Sequence, residues 1–223
     1  MTRSVAVIAA RDEAREIAAT VRALRPLVDE VVVVDDGSRD ATAAEALGAG
    51  ATVLRIPGRA GKGRAVEGAL RRIATAEVWL LADGDLGATA ARLHPLLEEV
   101  RAGAADLAIA VFPAQAGGGF GTVKRLAATA IQRLSGFRTR EPLSGQRAVS
   151  AECLERVRPL APGFGLETAM TIDAVRRGFR VLEIPIEGLA HRATGRGLRG
   201  FAHRGGQGWD IARAVARRTL RRA

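Results

Sequence analysis

The sequence predicts an α/β fold in which helices flank a mostly parallel central sheet. Short apolar or β-branched runs alternate with helical stretches through the first half of the chain. Apolar strands joined by helices form βαβ units, whose sheet is covered on both faces. The chain has 223 residues, of which 48% are hydrophobic, and this is enough to bury a sizeable core.

The predicted elements follow one another in a regular order. We expect strands over 5–10, 30–35, 52–56, 78–82, 107–112 and 180–184, and helices at about 13–24, 40–47, 63–74, 89–101, 121–134 and 166–177. In the fourth helix, Leu93, Leu96, Leu97 and Val100 share one face, and Thr89 is placed to cap its start. A Gly-rich break at 113–119 predicts a loop, and 141–147 reads as irregular.

The net charge of +10 is concentrated near the end of the sequence. Residues 191–223 contain nine arginines and a single acid, Asp210, so the rest of the chain is close to neutral. No zinc-finger spacing or aromatic stacking platform is present, and we expect no nucleic-acid partner. With one cysteine, no apolar span long enough for a bilayer and no signal-peptide core, we expect a cytoplasmic protein.

Acidic residues follow three of the predicted strands. In open α/β sheets, ligands bind at the carboxyl ends of the strands. Those ends carry Arg11, Asp12 and Glu13 after the first strand, Asp35 and Asp36 after the second, and Asp83 and Asp85 after the fourth. If these strands are adjacent, the side chains meet in one crevice.

The acidic crevice predicts a divalent cation. The first turn, AARDEA, has neither a dinucleotide fingerprint nor a P-loop. Several acids would repel a phosphate unless a cation stood between them, and carboxylates at Asp83 and Asp85 suit Mg²⁺ or Mn²⁺. The alternatives are local: Asp35-Asp36-Gly37-Ser38 is also good turn chemistry, and Asp-Gly-Asp also occurs in surface loops.

Four ordered motifs carry a resemblance to a known family. VAVIAARDEAREI, VVVVDDGSRDAT, GKGRAVEGAL and WLLADGDLGA, followed by REPLSGQRAVSAECLERV, GFGLETAMTIDAVRRGFRVLEIPI and AHRATGR, resemble the family 2 glycosyltransferases over about residues 3–196. The likeness is closest to the polyprenyl-phosphate (dolichol-phosphate mannose synthase-like) branch. It implies a GT-A (nucleotide-diphospho-sugar transferase) fold and transfer of a sugar from a nucleotide diphosphate sugar.

The resemblance also implies roles for individual residues. Arg11 and Glu13 would contact the nucleotide, Asp35 or Asp36 the base or ribose, and Lys62 the donor. Asp83 would lie near ribose and metal, Asp85 would bind the metal and take part in catalysis, and His191 would complete the metal or diphosphate shell. Glu167 would be the acidic catalytic residue on the acceptor side.

Each of these roles has a structural alternative. Lys62 could be an exposed loop lysine, Glu167 a helix N-terminal acid favoured by the macrodipole, and His191 a hydrogen-bonded structural histidine. Two positions depart from the branch: Gly87 stands where D-x-D-L-Q has glutamine, and SGQRA replaces C-G-F-R-A. The first puts the metal shell in question and the second the shape of the acceptor.

The mechanism expected from these residues is metal-assisted transfer. A cation on Asp85, Asp83 and His191 would stabilise the leaving nucleotide, and Glu167 would be the base for a hydroxyl acceptor in an inverting transfer. A phosphate acceptor is already ionised and needs no base. Arg125, Arg138 and Arg147 are candidate ligands of an acceptor phosphate, with solvated faces as the alternative for the first two.

The tail bears on the identity of the acceptor. Over 209–220, one helical face carries Ile211, Ala212, Val215, Ala216 and Leu220, and another carries Arg213 and Arg217 and continues to Arg221. Such a helix could lie on an anionic membrane and suit a lipid-phosphate acceptor, or pack on the enzyme or in a homodimer. We expect a catalytic domain over 1–200, with a nucleotide-binding half at 1–112 and an acceptor-side half at 113–200, followed by a basic helix at 201–223.

Two rival functions stay open from the sequence. A glucosyl-3-phosphoglycerate synthase-like enzyme would use a soluble phosphorylated acceptor and retain configuration. A degenerate relative would bind a nucleotide, or associate with a membrane, without turnover.

Overall fold

A central sheet organises the chain. The computed structural model describes residues 2–56, 58, 60–113, 121–163, 165–190, 212–216 and 218. The strands are β1 (Ser4–Ala10), β2 (Glu30–Asp35), β3 (Thr52–Arg55), β4 (Val78–Asp83), β5 (Leu107–Val111), β6 (Arg147–Ser150) and β7 (Val181–Pro185). They form a seven-stranded sheet in the order β3-β2-β1-β4-β6-β5-β7. The predicted α/β architecture is therefore confirmed.

Helices join most of the strands. They are α1 (Ile17–Leu24), α2 (Thr42–Gly48), α3 (Lys62–Leu70), α4 (His94–Arg101), α5 (Gly121–Ser135), α6 (Ala151–Val157) and α7 (Gly165–Arg176). The prediction that Thr89 caps the fourth helix is wrong, because Gly87–Leu93 forms a 3₁₀ helix and α4 starts only at His94. The Thr89 hydroxyl donates instead to the Leu86 carbonyl, at 2.7 Å.

Strand β6 and helix α6 are absent from the sequence prediction, which ends an irregular stretch at residue 147. β6 has only four residues and pairs antiparallel with both β4 and β5. Its last residue, Ser150, caps α6 by accepting from the Cys153 amide at 3.3 Å. Elements this short show no hydrophobic period, so the sequence gives little warning of them.

The sheet separates two apolar cores. Alternate strand residues point to opposite faces: Ala6 and Ile8 join one core, whereas Val5 and Val7 join the other. Helices α1, α2 and α4 cover the first face, and α3, α6 and α7 cover the second. Because helices cover both faces of the sheet, the carboxyl ends of its strands are the place left for a ligand to bind.

The C-terminal residues that the structure describes lie against the protein body. Ala214 is buried in a cluster with Ala161 and Ala169, and Val215 packs on the cluster of Ile131, Leu134 and Ile172. The prediction of a buried apolar face on this helix is only partly correct, because Ala212 and Ala216 are exposed. Ala214, whose side chain is small and buried, allows close contact with Ala169 on α7.

An ion pair strengthens this contact. Arg218 binds Asp173 on α7, and both side chains are only 11% exposed. The Arg218 carbonyl also accepts from Arg176, at 3.0 Å. Arginine in this segment thus serves packing as well as surface charge.

Two other predictions concern segments that are described in part or not at all. Apart from Pro113, the Gly-rich break at 113–119 lies outside the described residues, as do His191 and most of 209–220. Among the helices of the described ranges, none combines the length and the apolar character needed to span a membrane.

Candidate active site

The carboxyl ends of β1, β2 and β4 line up at one edge of the sheet. In the strand register, Ala10 pairs with Asp35 and Ala9 with Asp83. The acids at the ends of these separate strands are thereby brought to one edge of the sheet, as predicted. This edge, together with the loops that face it, is the candidate active site.

Lys62 joins the two halves of the chain at this edge. Its Nζ lies 2.5 Å from Asp83 Oδ1 and 2.8 Å from Glu167 Oε1. The side chains are 18%, 26% and 4% exposed for Lys62, Asp83 and Glu167 respectively. The second oxygen of Asp83 accepts from Gln146 Nε2 at 2.9 Å. The lysine thus connects the end of β4 to the first turn of α7.

The charge state of Lys62 follows from these neighbours. Burial alone would lower its pKa, but the charges of Asp83 and Glu167 outweigh burial and raise the pKa above its ordinary value of 10.5. Lys62 is therefore a cation at neutral pH. The alternative that it is an exposed loop lysine is wrong.

The Asp35-Asp36 turn holds the loop that leads into α3. Both Asp36 oxygens accept backbone amides, from Ala60 at 2.7 Å and from Gly61 at 2.9 Å. Asp35 accepts from the Ser38 amide at 2.9 Å. The turn thereby fixes the start of α3, where Lys62 stands, and contact of either acid with a base or ribose stays a prediction.

The loop after β1 is tied to the loop after β2. The Asp12 amide donates to the Ser38 hydroxyl at 3.0 Å and the Glu13 amide to the Thr42 hydroxyl at 2.8 Å. Asp12 has a φ of 55°, a left-handed conformation that is uncommon outside glycine. Arg11 Nη1 is buried and has no hydrogen-bond partner in the described part of the chain.

A side chain of α1 holds the Asp83-Gly84-Asp85 turn in place. The Thr20 hydroxyl donates to the Gly84 carbonyl at 3.0 Å and accepts from the Gly87 amide at 2.8 Å. Gly87 has a φ of 56°, and a β-carbon there would lie 2.9 Å from Glu16 Oε2. Glycine at this position is explained by the tight turn, which a larger side chain would strain.

The residues at this turn fit a hard divalent cation. Asp83 and Asp85 supply carboxylate oxygens on a short turn, the ligand type that Mg²⁺ and Mn²⁺ prefer. No group of three or more His, Cys, Asp or Glu within the described ranges could hold a metal by itself. Ala190, the last described residue before His191, exchanges hydrogen bonds with Thr89, near the turn.

Arg147 lies behind Glu167 and is 1% exposed. It donates to the Ser144 carbonyl at 2.7 Å, the Glu167 carbonyl at 3.0 Å and the Thr171 hydroxyl at 2.9 Å. Burial lowers the pKa of its guanidinium to about 10, against the raising effect of Glu167 and other carboxylates. The guanidinium thus ties the loop before β6 to the start of α7.

The acceptor-phosphate roles of the three candidate arginines stay predictions. Arg147 Nη2 is buried without a hydrogen-bond partner among the described residues, whereas Arg125 and Arg138 are exposed. The sequence prediction omitted Gln146 and Thr171, which the structure adds to the site. The SGQRA motif departs from the usual pattern at Gln146, but only the structure shows that Gln146 contacts Asp83.

Glu183 on β7 anchors residues 139–141, in the segment that precedes β6. Its carboxylate accepts from the amides of Arg140 and Glu141, both within 2.9 Å, and from the Thr139 hydroxyl. Burial alone would raise the pKa of Glu183, but these hydrogen bonds outweigh it and hold the pKa below the ordinary 4.5. The carboxylate therefore stabilises the loop while it is ionised.

A family model and curated relatives match much of the chain. The model described as Glycosyl transferase family 2 matches residues 5–154. Glycosyltransferase AglJ of Haloferax volcanii is 30% identical over 159 residues, which cover 70% of this chain and 52% of that protein. Glucosyl-3-phosphoglycerate synthase of Mycolicibacterium smegmatis is 30% identical over 196 residues, with 77% and 63% covered. The matches thus span only about half to three fifths of these relatives.

Solved structures of a similar synthase match the fold. Glucosyl-3-phosphoglycerate synthase of Mycobacterium tuberculosis, in complex with Mg²⁺ and UDP, superposes with a TM-score of 0.82 at 26% identity, covering 97% of this chain and 79% of that one. Its complex with Mn²⁺, UDP-glucose and phosphoglyceric acid gives a TM-score of 0.80 at 27% identity, with the same coverage. The GT-A fold expected from the sequence is therefore confirmed.

Proposed function

Because the chain belongs to glycosyl transferase family 2, we propose that it transfers a sugar from a nucleotide diphosphate sugar to a phosphorylated acceptor, with Mg²⁺ or Mn²⁺. The observation that carries the proposal is the junction at Lys62, where Asp83 of the nucleotide half meets Glu167 of the acceptor half. The complexes of the mycobacterial synthase with UDP, Mg²⁺ or Mn²⁺ and phosphoglyceric acid support the same ligand classes here.

The donor side of the site is the turn after β4 and the loops beside it. Asp85 and Asp83 would hold the cation, with His191 as a third ligand and waters and diphosphate oxygens completing the shell. When bound, the cation neutralises the charge that develops on the leaving diphosphate. Arg11 and Glu13, on the loop fixed by Ser38 and Thr42, would contact the nucleotide.

The acceptor side is formed by α7 and the loop before β6. Glu167 is a buried carboxylate whose side chain is held by Lys62 and whose carbonyl is held by Arg147. In an inverting transfer it would accept the proton of an acceptor hydroxyl. In a retaining transfer, as expected of a glucosyl-3-phosphoglycerate synthase-like enzyme, no base opposite the leaving group is needed. If a phosphate oxygen of the acceptor is itself the attacking atom, it is already ionised and needs no base, and Glu167 would only orient Lys62.

A small phosphorylated acid is the acceptor class we favour. The mycobacterial synthase structures contain phosphoglyceric acid, and the described C-terminal residues use Ala214 and Val215 for packing on the body. A lipid phosphate, the acceptor expected of the polyprenyl-phosphate branch, is a second candidate, because residues 191–223 are strongly basic and would favour an anionic membrane surface. A homodimer is a prediction that light scattering tests.

Transfer assays separate these candidates. The protein is incubated with UDP-glucose or GDP-mannose, with 3-phosphoglycerate or a polyprenyl phosphate in liposomes, and with Mn²⁺ or EDTA. We expect metal-dependent product with 3-phosphoglycerate and none with the lipid. Product formed only with the lipid would replace the favoured acceptor, and calorimetric binding of UDP without turnover on any pair would indicate a binding protein.

Asp85→Ala tests the metal role directly. Removal of a group that holds the catalytic charge stabiliser should lower kcat by roughly 100-fold or more. Glu98→Ala, which removes an exposed acid on α4, is the matched control and should leave kcat unchanged. Full activity of Asp85→Ala would rule out this metal site.

A further inference from the structure

The Lys62 ammonium lies beside Asp83, in the space where a metal ion held by this carboxylate would bind. Its Nζ is 2.5 Å from Asp83 Oδ1, while Gln146 Nε2 is 2.9 Å from Asp83 Oδ2. Both oxygens of Asp83 are therefore engaged by groups of the protein. A cation that binds Asp83 must displace the ammonium or share the carboxylate with it.

The ammonium is held in this place by the backbone around it. Asp36 fixes the two residues that precede Lys62, and Gly63 lies so close to the backbone of Ala161 that no β-carbon would fit. A β-carbon on Gly145 would lie 2.6 and 2.8 Å from the two Asp83 oxygens. The absence of side chains at these glycines gives the Lys62–Asp83 pair its room.

Electrostatics then sets the order in which ligands bind. An ammonium and a divalent cation on one carboxylate repel each other, and the repulsion is strong in a partly buried site. A nucleotide diphosphate brings negative charge that can accept the lysine, the cation or both. Binding of the metal alone is thus opposed, whereas joint binding is not.

Building on the proposed function, we propose that Lys62 is a positioning residue that competes with the divalent cation for Asp83, so that metal is taken up with the nucleotide diphosphate rather than before it. The ammonium balances one of the two negative charges of Asp83 and Glu167 until the donor arrives. Lys62 then remains beside Glu167 and is available to the donor diphosphate. The coupling is reciprocal, so the metal and the nucleotide each raise the affinity for the other by the same factor.

Mn²⁺ binding followed by electron paramagnetic resonance tests the competition without any turnover. Wild-type protein should bind Mn²⁺ at least about tenfold more tightly with UDP than without it, within the usual range of coupling between sites. Lys62→Met should bind Mn²⁺ without UDP about tenfold more tightly than wild type, because the competing charge is gone. Lys62→Arg keeps the charge and should bind Mn²⁺ alone as weakly as wild type.

The outcomes distinguish this inference from the proposed function. If wild type binds no Mn²⁺ even with UDP, the metal-dependent function and the inference both fail. If wild type binds Mn²⁺ with UDP but Lys62→Met gains no affinity for Mn²⁺ alone, only the competition is refuted. Should Lys62→Met lose its native circular dichroism, the wild-type protein decides: equal Mn²⁺ affinity with and without UDP overturns the inference.

Discussion

Replacement of Arg147 by methionine tests whether the buried guanidinium holds the acceptor side together. The side chain donates to Ser144, Glu167 and Thr171 at 2.7–3.0 Å and is 1% exposed. Methionine has a similar length and leaves little cavity, so the change removes mainly the hydrogen bonds. The loop before β6 would then lose its link to α7.

The expected loss of stability follows from the three bonds. Hydrogen bonds made by a charged donor contribute about 1.5–3 kcal/mol each, and part of this is offset because a costly buried charge disappears. We therefore expect Arg147→Met to lower the free energy of unfolding by about 3 kcal/mol. For a chain of this size, that corresponds to a Tm lower by roughly 6–12 °C.

Urea denaturation followed by circular dichroism measures this loss. Arg138→Met removes an exposed arginine and should change the free energy of unfolding by less than about 0.5 kcal/mol. If Arg147→Met costs no more than this control, the guanidinium does not support the loop, and the reasoning from burial and hydrogen bonds is wrong.

Three further predictions concern the surrounding scaffold. Gly63→Ala should lower stability by about 1–3 kcal/mol in urea denaturation, because its β-carbon would overlap a facing carbonyl, whereas Gly68→Ala on the same helix has only an ordinary contact at 3.8 Å and should be neutral or stabilising. Equal effects of the two would contradict the packing argument. Because the pKa of Glu183 is lowered in the folded protein, its ionised carboxylate contributes its full stabilisation above pH 4.5, and this contribution is lost as the pH falls through the folded-state pKa. The difference in unfolding free energy between wild type and Glu183→Gln should therefore shrink between pH 6 and pH 3. A constant difference would refute the assignment. Thermal denaturation should show a lower Tm for Arg218→Met, which loses an ion pair with α7, and little change for exposed Arg213→Met; an unchanged Tm for Arg218→Met would mean that the pair adds no stability.

The donor side could be predicted from sequence because it depends on strand ends. A run such as WLLAD identifies a buried strand, and parallel neighbours bring their carboxyl ends to one edge. Asp83 and Asp35 therefore lie at the same edge of the sheet, on the two strands that flank β1, for reasons that are visible in the sequence. The hydrogen bonds of Asp36 to the start of α3 are not visible there, because turn chemistry alone explains two acids followed by glycine.

The acceptor side could be predicted only by resemblance. β6 is too short to show a period, and its antiparallel direction cannot be read from four residues. The contact of Lys62 with Glu167 joins elements far apart in sequence. Such pairs depend on the complete packing of α3 against α7, which no local pattern specifies.

The antiparallel β6 also constrains how the protein is made. During synthesis, β1 to β4 emerge and can pair long before residue 150 exists, which leaves one edge of β4 uncovered in the nascent chain. That edge is apolar, with Val78, Leu80 and Leu81 among its residues, and unpaired apolar edges promote aggregation. β6, which completes the candidate active site, thus also covers the edge of β4 that is exposed before synthesis is finished.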